Sequence, residues 1–136
     1  MTPHRIVDVP GLPEPVGFAH AVVAAPGRTV YLGGQTAQGS GGAITGATMA
    51  EQFDVAAGNV IAALTAAGGS PEHLVRLTFY VTDVREYRDA LADLGPLYRR
   101  HFGRHYPAIA LFGVAALFDD AAKIELLATA VIPEAT

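Results

Sequence analysis

Glu125 is the one acid in the apolar run Ile124–Val131, where Leu127 and Val131 share its side of an extended strand. A carboxylate buried in such surroundings must be paired, protonated or functional; the alternative is a strand-edge acid facing solvent or a neighbouring arginine. His20, in Gly17-Phe18-Ala19-His20-Ala21, has the side chain that most readily exchanges protons near neutrality, or is a packed or surface residue. His101 and His105 stand four apart, which on a continuous helix could bring two metal ligands together. Gly103 falls between them and spacing suggests no third ligand, so no metal site is expected. Gly33-Gly34-Gln35-Thr36 closes an apolar stretch; the paired glycines allow close approach of a ligand or partner chain, or make a bulge or turn. The Gly39–Gly46 patch lacks the Lys-Ser/Thr of a phosphate loop, and no Ser–His–Asp arrangement can be argued from spacing.

The surrounding composition bounds the answer. The chain has 136 residues, 51% of them hydrophobic and 16% charged. Soluble domains carry ~25% charged residues, and a chain this small needs more polar cover than average. The shortage implies that part of the surface is buried against copies of the same chain. A net charge of −4 in so apolar a chain excludes disorder. With no cysteine, disulfides, thiolate catalysis and Cys-zinc sites are excluded, and a cytoplasmic location is expected. Asp8, Pro10 and Pro13 interrupt the N-terminal stretch, so no signal peptide is expected. The apolar run Ala108–Phe118 is far short of the ~20 residues of a membrane span. A pI of 5.6 without a basic stripe argues against nucleic acid as a partner.

The elements that must position these residues follow from periodicity. Two β-rich pieces in Val22–Gly33, divided by Pro26-Gly27-Arg28, predict a hairpin. Thr48 and Glu51 form a capping box, after which Phe53, Ala56, Ala57, Val60 and Leu64 recur at helical spacing until Gly68-Gly69. Leu77, Phe79 and Val81 alternate with polar residues as in a strand. Asp83 and Glu86 cap a second helix carrying Tyr87, Leu91, Leu94, Tyr98 and Phe102, which Gly95-Pro96 should kink or split. Pro107–Val114 and Lys123–Val131 predict the last two strands, joined by a turn at Asp119-Asp120. The expected architecture is one α+β domain over residues 1–136, with two helices on one face of a mixed sheet. Both faces of the last strand are mostly apolar, so a second copy is expected on the face the helices leave open.

Taken together, these pieces resemble the Rid family of reactive-intermediate deaminases, the YjgF-like proteins. The matching segments are Gly17–Ala21, Val30–Gln35, Gln52 with Asn59-Val60, Ala66–Gly68, Val75–Asp83, Pro107-Ala108, Gly113–Leu117 and Lys123–Val131. The resemblance implies a chorismate-mutase-like fold and a homotrimer with a barrel-like core and three clefts between subunits. It implies cofactor-independent hydrolysis of enamines and imines to a 2-keto acid and ammonia.

The family's site glutamate lies in Lys-Ile-Glu, here Lys123-Ile124-Glu125, so the resemblance assigns Glu125 to positioning or polarising the attacking water. The family's carboxylate-binding arginine lies in Pro-Ala-Arg-Ser, where this chain has Pro107-Ala108-Ile109-Ala110. A tyrosine of the family corresponds to Phe18, a glutamine to His20, and an asparagine of the second helix to Gly95. Losing a bidentate anchor in a desolvated cleft costs about 2–5 kcal/mol. The expected substrate is therefore an apolar or uncharged imine or enamine. Glu125 and His20 are the expected catalytic pair. Phe18, Gly34, Gln35, Ile109, Ala110 and Leu111 are the expected substrate-binding residues, with Ile109 and Leu111 on one strand face and Phe112 on the other. The alternative reading is a ligand-binding or regulatory trimer without deaminase activity.

Overall fold

A computed structural model describes residues 1–134. Six strands and three helices follow in the order β1 (Arg5–Val7), β2 (Ala21–Val23), β3 (Gly27–Tyr31), α1 (Met49–Ala66), β4 (Leu74–Val81), α2 (Val84–Asp89), α3 (Leu91–Phe102), β5 (Ala108–Gly113) and β6 (Ile124–Pro133). The main sheet is mixed, in the order β3-β6-β4-β5, with β4 and β5 parallel and the other pairs antiparallel. Alternation along its strands decides what faces what. Leu77, Phe79 and Val81 of β4 and Ile124, Leu126, Ala128 and Ala130 of β6 are buried against Phe53, Val60 and Leu64 of α1 and Leu94 and Phe102 of α3. The other face carries no helix. There Tyr31 is 80% exposed, Phe112 52% and Leu127 41%.

Two expectations are corrected. The hairpin over Val22–Gly33 does not form: β2 pairs with β1, a strand the sequence reading did not contain, and β3 pairs with β6. Gly27 is needed for close approach to β6, since a Cβ there would overlap Ile132 O and lie 3.0 Å from Pro133 Cα. The second helix divides at Ala90 rather than at Gly95-Pro96, and Pro96 lies inside α3. Pro96 is the sixth of the twelve residues of α3, so the helix continues through it at the cost of one backbone bond. The turn expected at Asp119-Asp120 forms, with Ala122 N donating to Asp119 O at 3.0 Å, and the two strands it links lie on either side of β4.

The capping box at Thr48 and Glu51 forms as expected, with Thr48 Oγ1 accepting from Glu51 N at 3.1 Å. Its helix carries Gln52, 2% exposed, inward. The Gln52 amide donates to Gly46 O (3.1 Å) and Ala121 O (3.0 Å) and accepts from Lys123 N (2.8 Å). One side chain thereby ties the loop entering α1 to the turn that leads into β6. Removing it strands two carbonyls and an amide, each costly to leave unpaired. Gln52→Leu is expected to lower the unfolding free energy by about 2–4 kcal/mol in a urea titration, with an unchanged value contradicting this role.

Candidate functional site

The expected site residues fall into separate groups. Glu125, Gly34 and Gln35 make the first, at the start of β6. Glu125 is half-buried on the helix-free face, opposite Tyr80 of β4, which is itself opposite Phe112 of β5. Those two rings stack at 6.0 Å and 25°. Beyond Tyr31 the chain continues along β6, and Gln35 exchanges backbone bonds with Leu126 at 2.8 and 2.9 Å. The register moves by one residue between Tyr31↔Thr129 and Gln35↔Leu126, so Gly33 and Gly34 occupy a bulge. That bulge makes room for the carboxylate. A Cβ on Gly34 would overlap Glu125 Oε2 and lie 3.0 Å from its Cδ.

Asn59 of α1 holds this loop, donating to Thr36 O at 3.0 Å and Gln38 O at 2.9 Å. Lys123, two residues before Glu125, is occupied by Glu86 at 2.7 and 2.9 Å. Among the described residues Glu125 has no ion-pair partner. A half-buried carboxylate of this kind is available to accept a proton from, or orient, a water molecule.

The second group lies on the opposite face of the sheet. Ile109 and Leu111 of β5 point toward the helices and, with Phe79, Leu94, Gly95, Tyr98 and the segment Val16-Gly17, line an open cavity of about 350 Å³. Its polar groups come from tyrosines and Arg99. Burial alone pushes the Tyr87 phenol up to about 12, so its hydroxyl stays a hydrogen-bond donor at neutral pH. Burial likewise raises Tyr98, whose hydroxyl donates to His105 O at 2.7 Å.

His20 and Ala110 belong to neither group. Together with Arg76, Thr78 and Ala108 they border a small depression of about 170 Å³ at the β5 edge. The His20 ring stands edge-on to Phe18 at 5.1 Å, and its Nε2 donates to Pro13 O at 2.8 Å. Phe18 lines a different cavity, of about 630 Å³, between the N-terminal residues and the end of α3. The expected Glu125–His20 pair is therefore not formed within one chain. Ala19 bridges to Ala108 at the outer edge of β5, while Glu125 lies level with Phe112 and two strands further in. Strand spacing and rise put the two residues on the order of 20 Å apart.

His101 and His105 are also separated. His101 Nε2 meets Asp54 Oδ1 at 2.6 Å, while His105 Nε2 donates to Leu74 O at 2.7 Å and is held below its ordinary pKa chiefly by burial. Gly103, at φ 66°, ends α3 between them. The sequence reading missed Tyr87 and Arg99 as cavity residues, although Arg99 stands one helical turn after Gly95, the position already singled out.

Comparisons with known proteins bear on the fold and the family. Residues 13–132 match the family described as Endoribonuclease L-PSP. The human 2-iminobutanoate/2-iminopropanoate deaminase is 28% identical over 129 residues, covering 93% of this chain and 89% of the human protein. The enzyme of the same description from Dermatophagoides farinae is 29% identical over 135 residues, covering 97% and 99%. Among solved structures, the Rid-family protein YyfB of Yersinia pestis, of unknown function, superposes with a TM-score of 0.84 at 29% identity, covering 95% of this chain and 98% of its own. A YjgF-family protein of Mycobacterium tuberculosis gives 0.64 at 28%, covering 86% and 88%. The chain belongs to the Rid (YjgF-like) family of L-PSP proteins.

Gly34→Ala tests how Glu125 is held. Its crystal structure is expected to show the Glu125 carboxylate displaced while β6 keeps its register; an unmoved carboxylate would contradict the packing described.

Proposed function

We propose that this chain hydrolyses reactive imines or enamines with an apolar body, releasing a carbonyl compound and ammonia without a cofactor. The observation that carries this reading is the Glu125 carboxylate, which has no ion-pair partner among the described residues and packs against the bulge at Gly33-Gly34, where a Gly34 Cβ would displace it. Water adds to the imine carbon while a proton goes to nitrogen. The resulting amino alcohol loses ammonia as its C–N bond breaks and the carbonyl forms. Glu125 accepts the proton from water and returns it to nitrogen. The relatives described as 2-iminobutanoate/2-iminopropanoate deaminases support the reaction class. The lining contributed by Phe79, Leu94, Ile109 and Leu111 supports the apolar body.

We further propose a homotrimer in which the cavity of one copy meets Glu125 of the next. Within one chain the two lie on opposite faces of the sheet. The helix-free face exposes Tyr31, Leu127 and Phe112, an apolar area that a second copy would cover. No helix is long and apolar enough to cross a membrane among the described residues. A net charge of −4 weighs against the RNA cleavage in the family's description. Equilibrium sedimentation is expected to give three times the chain mass of 14.1 kDa; a mass of one chain would overturn the assembly and the shared cleft.

The activity is tested by generating 2-imino acids with an amino-acid oxidase and letting semicarbazide compete for them. Wild-type protein is expected to divert the imine from semicarbazide. Glu125→Gln should lower that diversion at least tenfold, while His20→Ala, which removes an anchor to Pro13, should lower it by less than threefold. No diversion by wild type would favour a ligand-binding trimer over a hydrolase.

A further inference from the structure

The strands β1 and β2 pair over three residues each and form a sheet of their own. A two-stranded sheet that short is marginal in water, so side-chain anchors decide whether the N-terminal segment stays down. Two anchors reach the single turn Pro71–His73 before β4. Thr2 Oγ1 donates to Glu72 O at 2.8 Å, and His4 Nε2 donates to His73 O at 3.0 Å. His4 is 5% exposed, and its other ring nitrogen, Nδ1, accepts from Ala25 N at 3.0 Å. A backbone N–H can only donate and a carbonyl can only accept, so the ring is neutral with its proton on Nε2. One imidazole thereby ties together the start of the chain, the segment after β2 and the turn before β4. The anchored segment is also a wall: Met1, Thr2 and Ile6 line the cavity of about 630 Å³ with Phe18, Phe102 and Tyr106.

We infer that His4 is an acid-released latch, whose protonation frees the N-terminal segment and opens that wall of the cavity. The Ala25 amide and an incoming proton compete for one lone pair on Nδ1. A proton there turns an acceptor into a donor facing another donor, and places a charge at a buried position. The charged and titratable groups around His4 are the Met1 amine and Arg5 on its own segment, Glu72 and His73 on the turn, and Arg104 and His105 after α3; Ala21–Pro26 brings none. Glu72 is the one anion among them, and its carboxylate already accepts from Ser70 Oγ at 2.6 Å. The other two histidines are not the latch. His105 Nε2 donates to Leu74 O at 2.7 Å, a bond that either charge state keeps. His73 Nδ1 accepts from Ser70 N at 3.1 Å, inside its own turn. Because the proton binds the released segment in preference to the latched one, the latch holds above the imidazole range, ~pH 6.5, and weakens below it.

Hydrogen exchange of the full chain tests the latch, read as protection factors so that the intrinsic pH dependence of exchange is removed. From about pH 7.5 to about pH 5, protection of the β1 amides and of Ala25 is expected to fall tenfold or more. The ceiling is about thirtyfold, for one proton that binds only the released segment. Amides of β4 and β6 should keep their protection within twofold. His4→Gln, which takes up no proton in this range, is expected to remove the pH response whether its segment is held or free; His105→Gln should keep the response. Nitrogen NMR of the ring at the higher pH is expected to place the His4 proton on Nε2. Unchanged protection of β1 in wild type, a response that survives in His4→Gln or disappears in His105→Gln, an equal loss in β4 and β6, or a His4 proton on Nδ1 would each overturn the inference.

Discussion

Everything in this molecule is organised around the antiparallel placement of β6 between β3 and β4. The strand is hydrogen-bonded on both edges, so its register is fixed from two sides, and a slip by one residue would exchange its faces. With the register fixed, Ile124, Leu126, Ala128 and Ala130 enter the core at 0–2% exposure and Glu125 must emerge on the other side. Burying those four side chains stabilises the fold by several kcal/mol in transfer terms. The same burial gives the carboxylate a rigid base. Stability and site geometry are here one constraint.

The remaining devices refine that placement. Gln52 fixes the turn before β6, Asn59 fixes the loop after the bulge, and Gly34 withholds the methyl group that would displace the carboxylate. All are side-chain-to-backbone contacts or close packing, not partners of Glu125 itself. The carboxylate therefore has no cation paired with it among the described residues, which is what the proposed proton exchange with water needs. On the helical side, α3 contributes an apolar wall through Leu91, Leu94 and Tyr98.

Much of this was legible in the sequence wherever a local rule applied. The capping box at Thr48, the N-cap at Asp83, the alternation of β4 and β6 and the end of α1 at Gly68 depend on residues close in the chain, and they formed where expected; the second box does not close, because the Glu86 carboxylate pairs with Lys123 instead. Strand partners were not legible. Pro26-Gly27-Arg28 looks like a hairpin turn, and only the contact with Ile132, more than a hundred residues away, shows what Gly27 is for. The weakly patterned β1 gave no signal of its own. The site divides along the same line. The motif around Glu125 was readable, and so was the split of Ile109 and Leu111 from Phe112 by alternation. The separation of His20 from Glu125 depends on strand order, which follows from neither composition nor spacing.

The central claim is that catalysis needs Glu125 from one copy and the cavity from another. Subunit mixing tests it most directly. Glu125→Gln is expected to be inactive for want of the carboxylate, and Gly95→Phe, which would fill the proposed binding cavity, for want of a place to bind. Unfolded together in equal amounts and reassembled, the two are expected to recover about a quarter of wild-type imine hydrolysis, because random assembly of a cyclic trimer leaves that share of clefts with both halves intact. Mixed assemblies that form but stay as inactive as either parent, beside an active wild type, would place both halves of the site in one chain and contradict the account.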